Sequence, residues 1–141
     1  MKYYLSMRMI YRSSINEYLT EVLFLWRKEV KKLLCIDEQN HIKITRGDSA
    51  MMGLSIEDEN GEIYTPTDAD LVLLTVKKGT AEKEILLQKR LVNGVFLLTP
   101  EDTKHLSYWR YVYDVQLVQE NGFTSTVIPP SVFEVCEEVT D

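Results

Sequence analysis

The chain has 141 residues, of which 45% are hydrophobic and 27% are charged. This length suffices to bury a core without disulfides or a metal, and the composition excludes an intrinsically disordered chain. The formal net charge of −6 falls mainly after residue 40, where 17 acidic residues outnumber nine basic ones, and this acidity argues against nucleic-acid binding. No apolar run is long enough for a transmembrane helix or a secretory signal, so we expect no membrane association.

The first 40 residues show the spacing of an α-helix. Ser14 and Glu17 form a capping box, and the apolar residues that follow recur at mostly helical intervals up to Cys35. We therefore predict an N-terminal α-helix over residues 14–35, within a helical segment 1–40. Two interpretations stay open: the segment serves oligomerisation or docking, or the gene start is over-extended and translation begins near Leu33 or Leu34.

From residue 41 onward the hydrophobic period changes to two. Short segments rich in β-branched and aromatic residues follow one another, which is typical of a sandwich or a barrel. The predicted strands are 41–45, 51–57, 70–78, 84–90, 94–99, 110–119, 123–129 and 131–139. We predict a mainly β, antiparallel β-sandwich of about seven or eight strands as a domain over residues 41–141.

Three Asn-Gly pairs lie between predicted strands, at residues 60–61, 93–94 and 121–122. Asn and Gly tolerate positive φ angles, so each pair predicts a hairpin with a type I′ turn.

In the segment 110–119, the alternation of residues predicts which face of the strand is buried in the core. That face carries Tyr111, Tyr113, Val115 and Leu117.

The segment before that strand predicts a short helical turn. Thr99 suits an N-cap, Pro100 the first helical position, and Glu101 and Asp102 the first turn. Such a turn would cross from one sheet to the other, as at the EF corner of immunoglobulin-like domains, where a tyrosine hydroxyl bonds back to the backbone. Tyr111 or Tyr113 would be that tyrosine. Alternatively, both are plain core aromatics.

The sequence contains no nucleophile elbow, phosphate loop or zinc-protease motif, and its acidic residues cluster in a turn at 57–62. Asp58, Asn60 and Gly61 faintly resemble a calcium loop that lacks its remaining ligands. Cys35, Cys136, His41 and His105 lack metal-site spacing, and two reduced thiols are favoured over a disulfide. We predict no catalytic residues, no metal site and no cofactor.

Three aromatic residues fall near predicted strand ends or loops, where stacking surfaces usually occur. These candidates for a ligand or interface site are Tyr64, Tyr108 and Trp109. They could form a glycan-binding platform. In the alternative interpretation, Trp109 seals the end of the sandwich or a subunit interface.

The order of the motifs resembles small phage and prophage virion domains of Gram-positive bacteria, akin to the immunoglobulin-like N-terminal domain of baseplate upper proteins. The resemblance lies in the Gly47-Asp48 turn, the hairpin from Asp58 to Gly61, the corner from Leu98 to Leu106 and the ending from Tyr111 to Thr140. It covers about 100 of the 141 residues. The chain departs from that pattern at Arg110, where the family is expected to carry a glycine.

This resemblance implies an immunoglobulin-like sandwich with a structural role in a tail, baseplate or head-decoration assembly. The implied partners are other virion proteins and further copies of the same chain in a homo-oligomer. The implied location is the host cytoplasm during assembly and the virion afterwards. A carbohydrate-binding or host-recognition module is the alternative function, and a general protein-interaction domain is a third.

Overall fold

The structure is a computed structural model and describes residues 4–8, 34–58 and 60–139. This part of the chain is mainly β, as predicted, with ten strands and one short helix. In chain order the elements are β1 (Tyr4–Arg8), β2 (Leu34–Ile36), β3 (Ile42–Thr45), β4 (Ala50–Glu57), β5 (Ile63–Tyr64), β6 (Leu71–Lys77), β7 (Leu87–Arg90), β8 (Val95–Leu98), α1 (Pro100–Lys104), β9 (Trp109–Val118) and β10 (Thr124–Cys136).

The strands form two sheets. In the small sheet, β4 is the central strand and pairs with β1, β5 and β8. The large sheet has the order β2-β3-β10-β9-β6-β7. All pairs are antiparallel except β3 with β10, which run parallel. The prediction of a wholly antiparallel structure is therefore wrong at this pair.

One cluster of buried hydrophobic residues forms the core, and strands of both sheets contribute to it through alternate residues. On β9 the predicted core face is confirmed: Tyr111, Tyr113, Val115 and Leu117 are all buried. Phe96 and Met52 contribute from the small sheet, and the ring of Phe133 meets that of Tyr113 edge-on at 6.3 Å between centroids. Aromatic and β-branched residues thus occupy the interior from both sides.

The Asn-Gly hairpins differ in turn type. Asn93 and Gly94 both have positive φ, and Val92 and Val95 exchange two backbone hydrogen bonds around them, so the type I′ turn is confirmed there. At the other two pairs only Gly61 and Gly122 have positive φ, so type I′ is wrong. These hairpins have three-residue loops, and such a loop needs the left-handed conformation only at its last residue.

The predicted corner is confirmed: α1 links β8 in the small sheet to β9 in the large one. The carboxylate of Asp102 accepts hydrogen bonds from the backbone N–H of Thr99 at 2.7 Å and from its hydroxyl at 3.2 Å. Burial alone would raise the pKa of Asp102, but hydrogen bonds from Lys89 and Thr99 outweigh it and lower that pKa. The first turn of α1 is therefore stabilised by hydrogen bonds between its own Thr99 and Asp102 and by Lys89 from β7.

Several predicted boundaries change. The prediction of a helical segment over residues 1–40 is wrong where the structure describes it, because Tyr4–Arg8 pairs with β4 as β1 and Leu34–Ile36 pairs with β3 as β2. Residues 14–33 of the predicted helix lie outside the described residues. The predicted strands 123–129 and 131–139 form the single strand β10, whose pairing shifts between Thr126 and Ser131. Pro129 and Pro130 lie in this interval, and proline cannot donate to a sheet ladder, so the chain bulges there without ending the strand.

The sheet order also decides the question of a disulfide. Cys35 on β2 and Cys136 on β10 are separated by β3. Two strand spacings put their backbones roughly 9.6 Å apart, and a disulfide requires Cα atoms within about 7 Å. The geometry is therefore incompatible with a Cys35–Cys136 disulfide.

Candidate interaction sites

The three candidate aromatic residues lie at two separate places. Tyr108 and Trp109 stand at the beginning of β9, whereas the Tyr64 hydroxyl accepts a hydrogen bond from Gln119, just past the end of β9. A ten-residue strand at about 3.3 Å per residue puts roughly 33 Å between these places. The structure therefore does not bring Tyr64 together with Tyr108 and Trp109 in one platform.

The first place is an exposed aromatic surface, formed by Tyr108 and Trp109 and called here the Trp109 surface. Trp109 is 58% exposed and Tyr108 is 39% exposed. An open cleft of about 560 Å³ lies beside them. Its other lining residues are Lys43, Arg110, Glu134, Val135, Cys136 and Glu137. The guanidinium of Arg46 lies 4.3 Å from the centroid of the Tyr108 ring, within cation–π range.

An ionic cluster holds this surface in place. Glu138 accepts hydrogen bonds from the Arg46 Nε at 2.8 Å and from the Lys104 Nζ at 2.9 Å. Hydrogen bonds from Lys104 and Arg46 hold the pKa of Glu138 below its ordinary value. The cluster joins the turn after β3, the end of α1 and the C-terminal residues. Arg46 is therefore positioned over Tyr108 by a carboxylate 92 residues away in the sequence.

The Gly47-Asp48 turn packs against the same cluster. The backbone N–H of Gly47 donates to the hydroxyl of the buried Thr103 at 2.8 Å, and Gly47 has a φ of +81°. This left-handed conformation favours glycine, whereas a Cβ at this position would meet only the flexible end of the Lys104 side chain, at 2.6 Å from Cε. Burial, together with the charge of Glu138, raises the pKa of Asp48, against a smaller lowering by Lys104.

The second place is a cleft of about 630 Å³ at the other end of β9, called here the Tyr64 cleft. The Tyr64 hydroxyl donates to the Asp70 carboxylate at 2.6 Å, and the Thr67 backbone N–H donates to the same oxygen at 3.0 Å. Asp70 is only 7% exposed. The hydrogen bonds from Tyr64 and then Thr67 lower the pKa of Asp70. The hydrogen bond to the buried Asp70 carboxylate thus orients the Tyr64 side chain.

The two corner tyrosines have different partners. The Tyr111 hydroxyl donates to the backbone carbonyl of Ser107 at 2.9 Å, four residues upstream. The Tyr113 hydroxyl instead donates to the carbonyl of Asn40, whose φ is +60°. Burial raises the pKa of Tyr113. Tyr111 secures the approach to β9, and Tyr113 secures the turn between β2 and β3.

Asp58 has a local structural role. Its Oδ1 accepts the backbone N–H groups of Asn60 and Glu62, at 2.8 and 2.9 Å, and these bonds close the hairpin turn. Over the described ranges, no group of three or more His, Cys, Asp or Glu residues is close enough to hold a metal ion.

Among the residues that the structure describes, no helix is long and apolar enough to span a membrane.

Sequence reasoning missed the partners of these aromatic residues. No pattern of nearby residues indicates that Arg46 meets Glu138 or that Tyr64 meets Gln119, since each pair forms only when distant strands align.

Comparisons with protein-family models, curated proteins and solved structures found no match.

Proposed function

We propose that this chain is a non-enzymatic structural protein of a phage or prophage virion, built on an immunoglobulin-like β-sandwich. The strand connectivity supports the fold. β4 pairs with β8 in one sheet, and β6, β9 and β10 are neighbours in the other. The crossing of α1 between sheets and the Tyr111–Ser107 hydrogen bond add the corner expected of such domains.

The observation that carries an assembly role is the Trp109 surface. Trp, Tyr and Arg are the residue types that dominate binding hot spots between proteins, and here Trp109 and Tyr108 adjoin Arg46 and Arg110. The ionic cluster around Glu138 orders Arg46 in advance, which reduces the entropy lost on binding. We propose that this surface contacts another virion protein or a further copy of the chain.

The experiment compares Trp109→Ala with Phe123→Ala. Phe123 is 52% exposed in the β9–β10 hairpin, at the far end of β9 from Trp109, and so serves as a matched exposed aromatic control. Both variants should keep the wild-type unfolding midpoint, because neither side chain fills the core. We expect Trp109→Ala to be lost from purified virions, or to weaken self-association at least tenfold, while Phe123→Ala behaves as wild type. Equal incorporation of both variants would contradict the proposal.

A glycan-binding role is the second candidate, favoured by one observation. The exposed Trp109 ring borders a cleft that also carries Lys43, Glu134 and Glu137, which combines a stacking surface with polar groups. Affinity electrophoresis in gels containing host cell-wall polysaccharide measures this directly. Retardation of the wild type that Trp109→Ala abolishes and Phe123→Ala retains would favour the glycan function over assembly.

A further inference from the structure

The outer face of the large sheet, turned away from the core, carries a cleft of about 300 Å³. Its floor consists of side chains from β6, β7 and β9, and its walls come from the loop between β6 and β7 and from β10. It is called here the Asp114 cleft and is lined by Thr75, Lys77, Gln88, Asp114, Gln116 and Pro130. Its volume lies at the lower end of the range of small-molecule sites.

A row of polar side chains crosses the floor of the Asp114 cleft. Thr75 of β6 is the register partner of Gln88 on β7 and of Asp114 on β9. Side chains of such partners point to the same face, with Cβ atoms roughly 5 Å apart. The Gln88 amide donates to the Thr75 hydroxyl at 3.1 Å, so these two groups are ordered in advance. Gln116 lies two residues beyond Asp114 and therefore points to the same face.

The irregular part of β10 lies directly beside Asp114. β10 pairs with the two neighbours of Asp114 through Ile128 and Ser131, so Asp114 alone faces Pro129 and Pro130. A bulge of this kind redirects nearby side chains, and bulges are frequent next to functional sites. Pro130 gives the cleft an apolar wall beside the carboxylate.

The charge of Asp114 is only partly compensated. Burial raises the pKa of Asp114, and the charge of Lys77 lowers it by less. Lys77 pairs with Val112, one step along the same face, and such diagonal neighbours lie about 7–8 Å from Asp114. A cation in direct contact would favour the ionised carboxylate more strongly. The carboxylate is already partly removed from water, so an ammonium group gains a charge-assisted hydrogen bond at a reduced desolvation cost.

We propose that the Asp114 cleft binds a small hydroxylated amine, the chemical class to which amino sugars belong. The ammonium group contacts the Asp114 carboxylate, and the hydroxyl groups bond to Thr75, Gln88 and Gln116. Amide and hydroxyl side chains both donate and accept hydrogen bonds, which matches the hydroxyl groups of such a ligand. The cleft is separate from the Trp109 surface, which lies at the beginning of β9. The inference therefore goes beyond the proposed virion role and does not depend on it.

A chemical-shift titration of the isotope-labelled full chain with glucosamine, slightly below neutral pH, tests the proposal. We expect saturable shifts of the backbone amides of Thr75, Asp114 and Gln116, with millimolar affinity. N-Acetylglucosamine keeps the ring and loses the ammonium charge, so it should bind at least about tenfold more weakly. Cyclohexylamine keeps a six-membered ring and the charge but lacks the hydroxyl groups, and it should bind several-fold more weakly.

Variants of the chain locate the contact. Asp114→Asn keeps the side-chain shape and should weaken glucosamine binding at least about tenfold. Glu62→Gln, at an exposed position in the β4–β5 hairpin, removes a carboxylate elsewhere and should bind as wild type. Gln116→Ala changes an exposed residue of the floor and should weaken binding several-fold, which keeps the test decisive if Asp114→Asn does not fold.

Four results would overturn the proposal: no binding of glucosamine, shifts that lie outside the cleft, equal binding of glucosamine and either control ligand, or wild-type affinity in the folded cleft variants. None of these results depends on virion incorporation or on Trp109→Ala. The failure of this proposal can therefore be told apart from the failure of the proposed function.

Discussion

Replacing Tyr64 with Phe removes one hydroxyl and keeps the ring. The substitution removes the 2.6 Å hydrogen bond to the Asp70 carboxylate and the longer one, at 3.3 Å, that the hydroxyl accepts from Gln119. Hydrogen bonds to charged groups contribute about 1.5–3 kcal/mol. Tyr64 is only half-buried, so water can partly replace the hydroxyl, and we expect a loss of about 1.5 kcal/mol in the free energy of unfolding at neutral pH.

The loss should depend on pH. The pKa of Asp70 is lowered in the folded protein, chiefly by Tyr64, below its value of about 3.9 in an unfolded chain. The unfolded state therefore binds the proton first on acidification. The stabilisation is fully present above the unfolded pKa and disappears as the pH falls through the folded pKa. We expect the difference between wild type and Tyr64→Phe to shrink as the pH falls below about 4.

Urea unfolding followed by tryptophan fluorescence, at a series of pH values, measures both effects. Tyr108→Phe is the matched control: Tyr108 is 39% exposed, and removal of its hydroxyl should change stability by less than about 0.5 kcal/mol. An equal loss for Tyr64→Phe at every pH would refute the reasoning, because the hydroxyl would then stabilise the fold independently of the Asp70 charge.

Two further substitutions test the corner. Tyr111→Phe removes the bond to the Ser107 carbonyl and should cost about 1 kcal/mol in urea unfolding with an unchanged denaturant slope; a neutral result would show that this hydroxyl does not anchor the strand. Asp102→Ala removes the acceptor for Thr99 and Lys89 and should lower stability by about 1–2 kcal/mol, against little change for the exposed Glu101→Ala. Similar losses for both acidic residues would contradict a capping role.

Local chemistry was sufficient to predict most strands and the corner. The period-two pattern from residue 41 located the strands, because one face of each must meet the core. Thr99, Pro100 and Asp102 specified α1, since the orphan donors at the start of a helix are satisfied by residues within one turn. The Asn93-Gly94 pair specified its own turn because both residues tolerate positive φ.

Where a prediction required knowledge of the partner strand, the sequence was not enough. Leu34 and Cys35 continue a helical pattern in the sequence, yet they form a strand that pairs with β3. The backbone hydrogen bonds available at the edge of β3 favour the strand, and the local propensity of these residues does not include that contribution. The two prolines of β10 suggested a break between strands, but β9 continues alongside and holds the strand together through a bulge.

A mainly β chain, the core face of β9 and the position of the corner could be predicted from the sequence, because each depends on neighbours within a few residues. Which charges and hydroxyls meet depends on how the strands are arranged in the folded protein. Arg46 reaches Tyr108 and Glu138, and Tyr64 lies about 33 Å from Trp109, because the order of strands in the two sheets places them there. Contacts across sheets depend on register and strand order, which spacing along one chain does not encode.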